Sequence, residues 1–301
     1  MTSLPLALYD AFSDTAFGGS QAAVVSNAGS LDDATMARIA GELGYPAVCF
    51  VGATGEERVE ARFRSTVMEL PMCGHGTIAL MTRLIEQGYV TMPSRMELHL
   101  PGSRTHVTIS AGMGGRPLVM LEVTPPAFRQ DDVDRGRLAR LLGLEPDIIA
   151  RDHPLETVCG DFVHLVVPLP GLDAMERVRP DFPGLVALCH DHAIETVALF
   201  TTETLDPAST LHVRDFCPAV GVAESAAAGT TNAALASYLV RHRIASPDSG
   251  ARVDVRAEQG VEIGRTSRIV TCAHIEDDAV TSIEVGGVAT RTVEGLLHLP
   301  P

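Results

Sequence analysis

The chain has 301 residues, 46% of them hydrophobic, and a formal charge of −15 at neutral pH. That length suits one large domain or two of ordinary size, with the apolar content of a globular protein. The acidic balance excludes a nucleic-acid partner and an anionic membrane surface, and no apolar run approaches the ~18 residues of a membrane span.

In chain order, residues 6–12 alternate as an opening strand, Gly18-Gly19-Ser20 turns, and 22–25 is a second strand. Ser30 is placed to cap a helix through Leu43, with Leu31, Met36, Ile39 and Ala40 on one face. Residues 46–51 and 60–65 read as strands, followed by a helix from the Cys73 turn to Gly88 and short strands at 96–100, 105–110 and 118–123. Pro125-Pro126 marks a break. Then come a helix at 134–142, a strand-like 157–168 turning at Gly160, short helices at 172–178 and 184–190, and strands at 196–200 and 211–216, the last rich in polar residues. A second helix starts at Ala228-Gly229. Strands at 252–255, 260–263, 267–271, 282–285 and 288–290 close the chain, with solvated acidic turns at 131–134 and 276–278.

The chain thus states one plan twice: many strands, a glycine turn, then one helix of small and apolar residues, which belongs in a core. The expected architecture is α+β, two β-barrel halves each wrapped around a central helix. The first half spans 1–120 and is completed by the last strands, about 280–301; the second spans 121–279.

The chemistry points to Glu69-Leu-Pro-Met-Cys73-Gly-His-Gly-Thr-Ile-Ala-Leu80, a thiol on a glycine turn at a helix start. Unpartnered N–H groups there bind anions and lower a thiol's pKa, whereas burial raises it. Cys73 therefore reads either as a thiolate base beside a carboxylate cradle or as one more small buried hydrophobe. His75 either orients substrate and shuttles a proton or caps the helix. The chain contains no lysine, which closes the pyridoxal phosphate and P-loop routes; the expected cofactor is none. Six dispersed cysteines without a Cys-x-x-Cys pair read as reduced thiols rather than a zinc site. His190-Asp-His192 would share a face on a strand but lacks a third ligand at a usual spacing, so no metal is expected. The opening residues lack a basic n-region and cleavage site, which gives a cytoplasmic expectation.

At Tyr9-Asp-Ala-Phe12, Glu69 to Leu80, Arg214 to Leu239 and Gln259 to Arg265 the chain resembles the PhzF-like (phenazine biosynthesis) family of the diaminopimelate epimerase and proline racemase superfamily. Met72-Cys-Gly-His-Gly76 is similar to the first cysteine motif of proline racemases. The resemblance implies the diaminopimelate epimerase-like fold, an active site between the halves, a small amino acid or carboxylate substrate, and a homodimer. The candidate site residues are Cys73, His75 and Glu224 as catalytic, Glu224 reading either as an acid or amine ligand or as a turn-stabilising carboxylate, with Ser20, Gly74, Gly76, Ser225, Gly229 and Thr230 around the substrate. The departures are as informative. Ala47 stands at the family's catalytic glutamate, Ser225 at an aspartate, and Ala228 where a two-thiol racemase has its second cysteine. Racemisation usually needs two opposed groups, so one remaining sulfur favours a shift of a proton and double bond on a single face. Such isomerases serve routes to 4-alkyl-L-proline units of lincosamide-type antibiotics, which sets the substrate expectation as a small, unsaturated, cyclic amino acid. A dehydratase, an epimerase and a non-catalytic binding protein are the alternatives.

Overall fold

A computed structural model describes residues 2–149, 152–245, 251–277 and 279–299. Asp278 of the expected acidic turn and the last two residues of the expected closing segment lie outside them. The elements run β1 Thr2–Ala11, β2 Ser20–Val25, α1 Asp33–Leu43, β3 Ala47–Thr54, β4 Arg58–Arg64, β5 Glu69–Leu70, α2 Gly74–Glu86, β6 Ser94–Leu100, β7 Ser103–Ala111 and β8 Pro117–Val123. They continue with β9 Ala127–Arg129, α3 Arg135–Leu141, β10 Glu156–Cys159, β11 Val163–Pro168, α4 Leu172–Arg177, α5 Phe182–His192, β12 Thr196–Thr201, β13 Leu211–Cys217, β14 Val222–Ser225, α6 Gly229–Arg241, β15 Arg252–Gln259, β16 Ser267–Glu276, β17 Ala279–Gly287 and β18 Ala289–Leu299. Among the described residues no helix is long and apolar enough to cross a membrane.

Two compact units result, residues 1–122 with 286–301, and residues 123–285. In the first, strand order is β18-β1-β2-β3-β4-β6-β7-β8, with β5 also on β4. Only β2–β3 and β4–β6 are parallel, and each of those steps is bridged by a helix, α1 and α2. A parallel neighbour cannot be reached by a tight turn, so the crossover supplies the helix. In the second unit the order is β9-β10-β11-β12-β13-β15-β16-β17, with β14 on β13. Its parallel steps β11–β12 and β13–β15 are bridged by α4–α5 and by α6. The two units share one topology, and α2 and α6 hold the same place in it.

Those two helices are buried to a degree that surface helices are not. Nine successive residues of α2, Gly76 to Leu84, and nine of α6, Thr231 to Leu239, are buried. Their polar members bond the carbonyl four residues back: Thr77 to Cys73, Thr82 to Ile78, Asn232 to Ala228 and Ser237 to Ala233. Each of these four gains a partner within its own helix, while Asn232 also donates to Gln259 and Thr231 to Asp215 outside it. Tyr9 donates to Glu86 at 2.7 Å and Arg83 to Glu294 at 2.7 Å, fastening the far end of α2 to β1 and β18. A second apolar layer packs under α1 through Met36, Ile39, Ala40, Val48 and Phe50. Its counterpart in the second unit lies under α3 to α5 around Leu138, Met175, Leu185 and Leu188.

Three local expectations are corrected. Helix α1 begins at Asp33 rather than after Ser30, because the Asp32 carboxylate accepts the Thr35 N–H at 2.7 Å and so fixes the first turn. His190 and His192 lie in the last turn of α5, not on a strand or loop. Two residues apart on a helix they point about 200° apart, so they cannot share a face. Residues 260–263 form a turn rather than a strand, closed by Gly264 N–H to Val261 O at 3.0 Å and Arg265 N–H to Gly260 O at 2.9 Å. Gly260 holds φ +75°, and a Cβ there would meet Arg265 O at 2.6 Å and Ala226 O at 2.7 Å, so only glycine fits.

Candidate active site

Cys73 is the N-cap residue of α2, with φ −150° and ψ 105°, and no side chain caps the helix there. Strand β5 delivers the chain in extended form, and the helix turns immediately after the sulfur. Cys73 Sγ lies 3.6 Å from both His75 Nδ1 and His75 Nε2. A Cβ built on Gly76 would stand 3.1 Å from that Sγ and 2.9 Å from the Phe63 ring, so sulfur and ring together fill the space a side chain would need. Glycine at 76 is what lets the thiol fold under the first turn.

The same packing corrects the expected thiolate. Burial pushes the Cys73 thiol up to about 12, and the one opposing influence, the Gly76 backbone N–H, is too weak to offset it. With 6% of the residue's surface exposed, the sulfur has lost the water that would stabilise an anion. Burial likewise pushes His75 down to about 4. At neutral pH the pair rests as thiol and neutral imidazole, one proton donor beside one proton acceptor.

The other expected residues of this unit are Gly74 at the first position of α2 and Ser20, which opens β2 opposite Ala11 in the β1–β2 register. Ala47 is fully buried at the start of β3, so the carboxylate position of the resemblance holds only a methyl group.

In the second unit Ala228 occupies the N-cap of α6, with φ −135° and ψ 107°, nearly the backbone of Cys73 and again with no side-chain cap. Gly229 and Thr230 form the first turn, and Thr230 is half-buried. The segment leading in is pinned by three contacts: Gln259 Nε2 to Ser225 O at 2.9 Å, Ser267 Oγ to Ala226 O at 2.5 Å, and Asn232 Nδ2 to Gln259 Oε1 at 3.0 Å.

Glu224 is not a free acid. Arg214 grips it with Nε at 2.9 Å and Nη2 at 2.8 Å, and gives its other terminal nitrogen to Met175 O at 2.9 Å. Beyond Arg214 the network runs through Glu262 to His212 at 2.8 Å and on to Glu258 at 2.7 Å, whose oxygens accept the Leu205 and Asp206 N–H groups. Burial alone would lower His212, but its bonds to Glu262 and Glu258 win and raise it. Burial would raise Glu262, but His212 outweighs it and holds the carboxyl low. The two signs define a window. The raised His212 stabilises fully below the unfolded value of about 6.5 and loses that contribution as pH climbs through its folded pKa. The lowered Glu262 stabilises above about 4.3 and loses its contribution as pH falls through its own. We expect thermal melts of the wild type to show declining stability on the alkaline side of this window, and His212→Gln to flatten that decline.

The sequence reading missed a buried polar cluster below α6. Thr231 donates to Asp215 Oδ2 at 2.8 Å, and His164 Nδ1 lies 2.7 Å from Thr196 Oγ1 and 3.4 Å from Thr231 Oγ1. Burial lifts Asp215 to about 6 against the pull of Thr231, and burial drops His164 to about 4. The signal was present: His212, Arg214 and Asp215 interrupt a strand whose seven residues are all buried.

A model of the phenazine biosynthesis-like proteins, PhzC-PhzF, matches residues 9–295. The trans-2,3-dihydro-3-hydroxyanthranilate isomerase of Pseudomonas fluorescens is 29% identical over 294 residues, covering 97% of this chain and 98% of that protein. A PhzF-family crystal structure from Bacillus anthracis superposes with a TM-score of 0.89 at 23% identity, over 99% of this chain and 100% of that one. A hydroxyproline epimerase from Agrobacterium vitis superposes at 0.59 with 12% identity, over 98% and 92%. The sequence match and both superpositions span the two units. The chain belongs to the phenazine biosynthesis-like protein family and is an isomerase on the diaminopimelate epimerase-like fold.

Proposed function

We propose that this enzyme moves a proton, and with it a double bond, within a small unsaturated cyclic amino acid of the 4-alkyl-L-proline type, without a cofactor, and that Cys73 and His75 carry the proton. The observation behind this reading is the single thiol at a helix start with an imidazole 3.6 Å away, while Ala228 offers only a methyl group at the matching position. A lone proton carrier suits a 1,3-shift better than a racemisation.

The working base is the pair rather than a standing thiolate. In the reading, the substrate carboxylate settles on the N–H groups of Gly74 and Gly76 at the start of α2. An anion beside His75 favours its protonated form, so substrate arrival draws the thiol proton onto the imidazole. The thiolate then takes the carbon-bound proton, and the proton is returned at the far end of the allylic system. In the first unit Ser20 lines the approach; in the second, Glu224 keeps Arg214 in place.

The test is incubation of the enzyme in deuterium oxide with a panel of unsaturated proline and cyclohexadiene amino acids, followed by mass spectrometry and NMR. Isomerisation incorporates label at constant skeleton mass; loss of water would mark a dehydratase, and no label in any compound would mark a binding protein. The pH profile separates base from pair. With His75 near 4 and Cys73 near 12, a pair mechanism gives a kcat/KM that is flat between about pH 6 and 9 and falls only on the acid side, as His75 protonates. A thiol near 12 that had to lose its proton to solvent before reacting would instead make it climb about tenfold per pH unit across that range.

A further inference from the structure

Strand β16 presents two faces, alternating except that Cys272 is buried as well. Ile269, Thr271, Ala273 and Ile275 are buried on the face whose Ala273 packs with Ala233 of α6. The opposite face carries Cys272 and His274, two residues apart and therefore on the same side. Glu284 stands on the neighbouring β17, out of phase with buried Ile283 and Val285. One donor atom from each of Cys272, His274 and Glu284 lies within 4.8 Å of the other two. Among the described residues no other group of three histidine, cysteine or carboxylate donors meets that condition.

We propose that Cys272, His274 and Glu284 form a binding site for a divalent, borderline-soft metal ion of the zinc class, separate from the Cys73 motif. Three features fit it. Ligand bonds of about 2.0–2.3 Å around a tetrahedral ion set donors roughly 3.3–3.8 Å apart. Cys272 Sγ and His274 Nε2 are already 3.6 Å apart. Charge also matches: one thiolate and one carboxylate neutralise a divalent ion, with the imidazole neutral and the thiol proton released to solvent. The surroundings suit it as well. Cys272 is 2% exposed, which shields the metal–sulfur bond, while His274 and Glu284 are half-buried and leave an opening for a water as fourth ligand. Asp254 faces Cys272 across the β15–β16 ladder, but Arg252 holds it at 2.8 Å, so the two charges offset each other and Asp254 is not counted as a ligand. The spacing Cys-x-His on a strand is shorter than the loop spacings that mark zinc motifs in a sequence, and its third ligand comes from another strand.

The test is titration of the chelator-stripped, full-length protein with Zn2+ by calorimetry and with Co2+ by absorbance. The expected result is one ion per chain with Kd on the order of 1 μM or tighter, and a sulfur-to-cobalt charge-transfer band. Cys272→Ser removes the band and weakens binding by about a hundredfold or more, Glu284→Gln weakens it without loss of the fold, and Cys159→Ser changes neither. Absence of saturable binding, or a band that survives Cys272→Ser in a protein with a wild-type melt, overturns the proposal.

Discussion

Cys73→Ser lowers kcat/KM by about 10^2- to 10^4-fold on the substrate that takes up deuterium, the share a positioned proton-transfer group contributes. Serine fits the space that sulfur and Phe63 divide beneath Gly76, and the helix start survives because it rests on the Cys73 carbonyl rather than its side chain. Both the Thr77 N–H and the Thr77 hydroxyl bond that carbonyl at 2.9 Å. Thermal melts of the variant should therefore overlay those of the wild type while label uptake collapses. His75→Gln should produce a loss of the same kind, and the double variant should lose little more than either single one, because a coupled pair fails as a unit. Wild-type label uptake by Cys73→Ser removes the sulfur from the mechanism.

Arg214→Met is expected to destabilise the protein by about 3–5 kcal/mol, the cost of stranding a buried ion-pair partner. Glu224 would keep its charge in a site where its side chain is 8% exposed, and Glu262 and Met175 O would each lose a partner. With about 2–4 °C of melting temperature per kcal/mol for a body of 150–250 residues, differential scanning calorimetry should register a drop of roughly 6–20 °C. The paired change Arg214→Met with Glu224→Gln should recover a large part of it, since apolar or neutral replacements of both partners remove the stranded charge. A melt unchanged in Arg214→Met would mean that the carboxylates are hydrated after all.

How much of this was readable in the chain depends on how local its cause is. The strands and the two central helices follow from alternation, glycine turns and apolar runs, which are local. Helix ends are less so: Ser30 and Asp32 are both good caps, and the choice fell to whichever carboxyl or hydroxyl met an N–H in three dimensions, here Asp32 with Thr35. The helix expected at 184–190 stopped two residues short of His192; α5 runs on through it and ends at Ala193 in a left-handed conformation. The place of Cys73 was legible, since glycines flank it and an apolar helix follows. Its protonation was not, because that depends on how deeply the assembled fold buries the sulfur. Glu224 was legible as an acid and illegible as an ion-pair partner, because the β13–β14 register, pairing Asp215 with Ser225, is what brings Arg214 to it.

The immersion of α2 sets the tempo at which the protein can come apart. Nine consecutive enclosed residues leave no fraying route from the middle of the segment, so the amides of Leu80 to Leu84 should exchange with solvent only through global opening. The thiol is mounted on the end of that enclosed segment, so its alignment is inherited from the packing rather than rebuilt at every turnover.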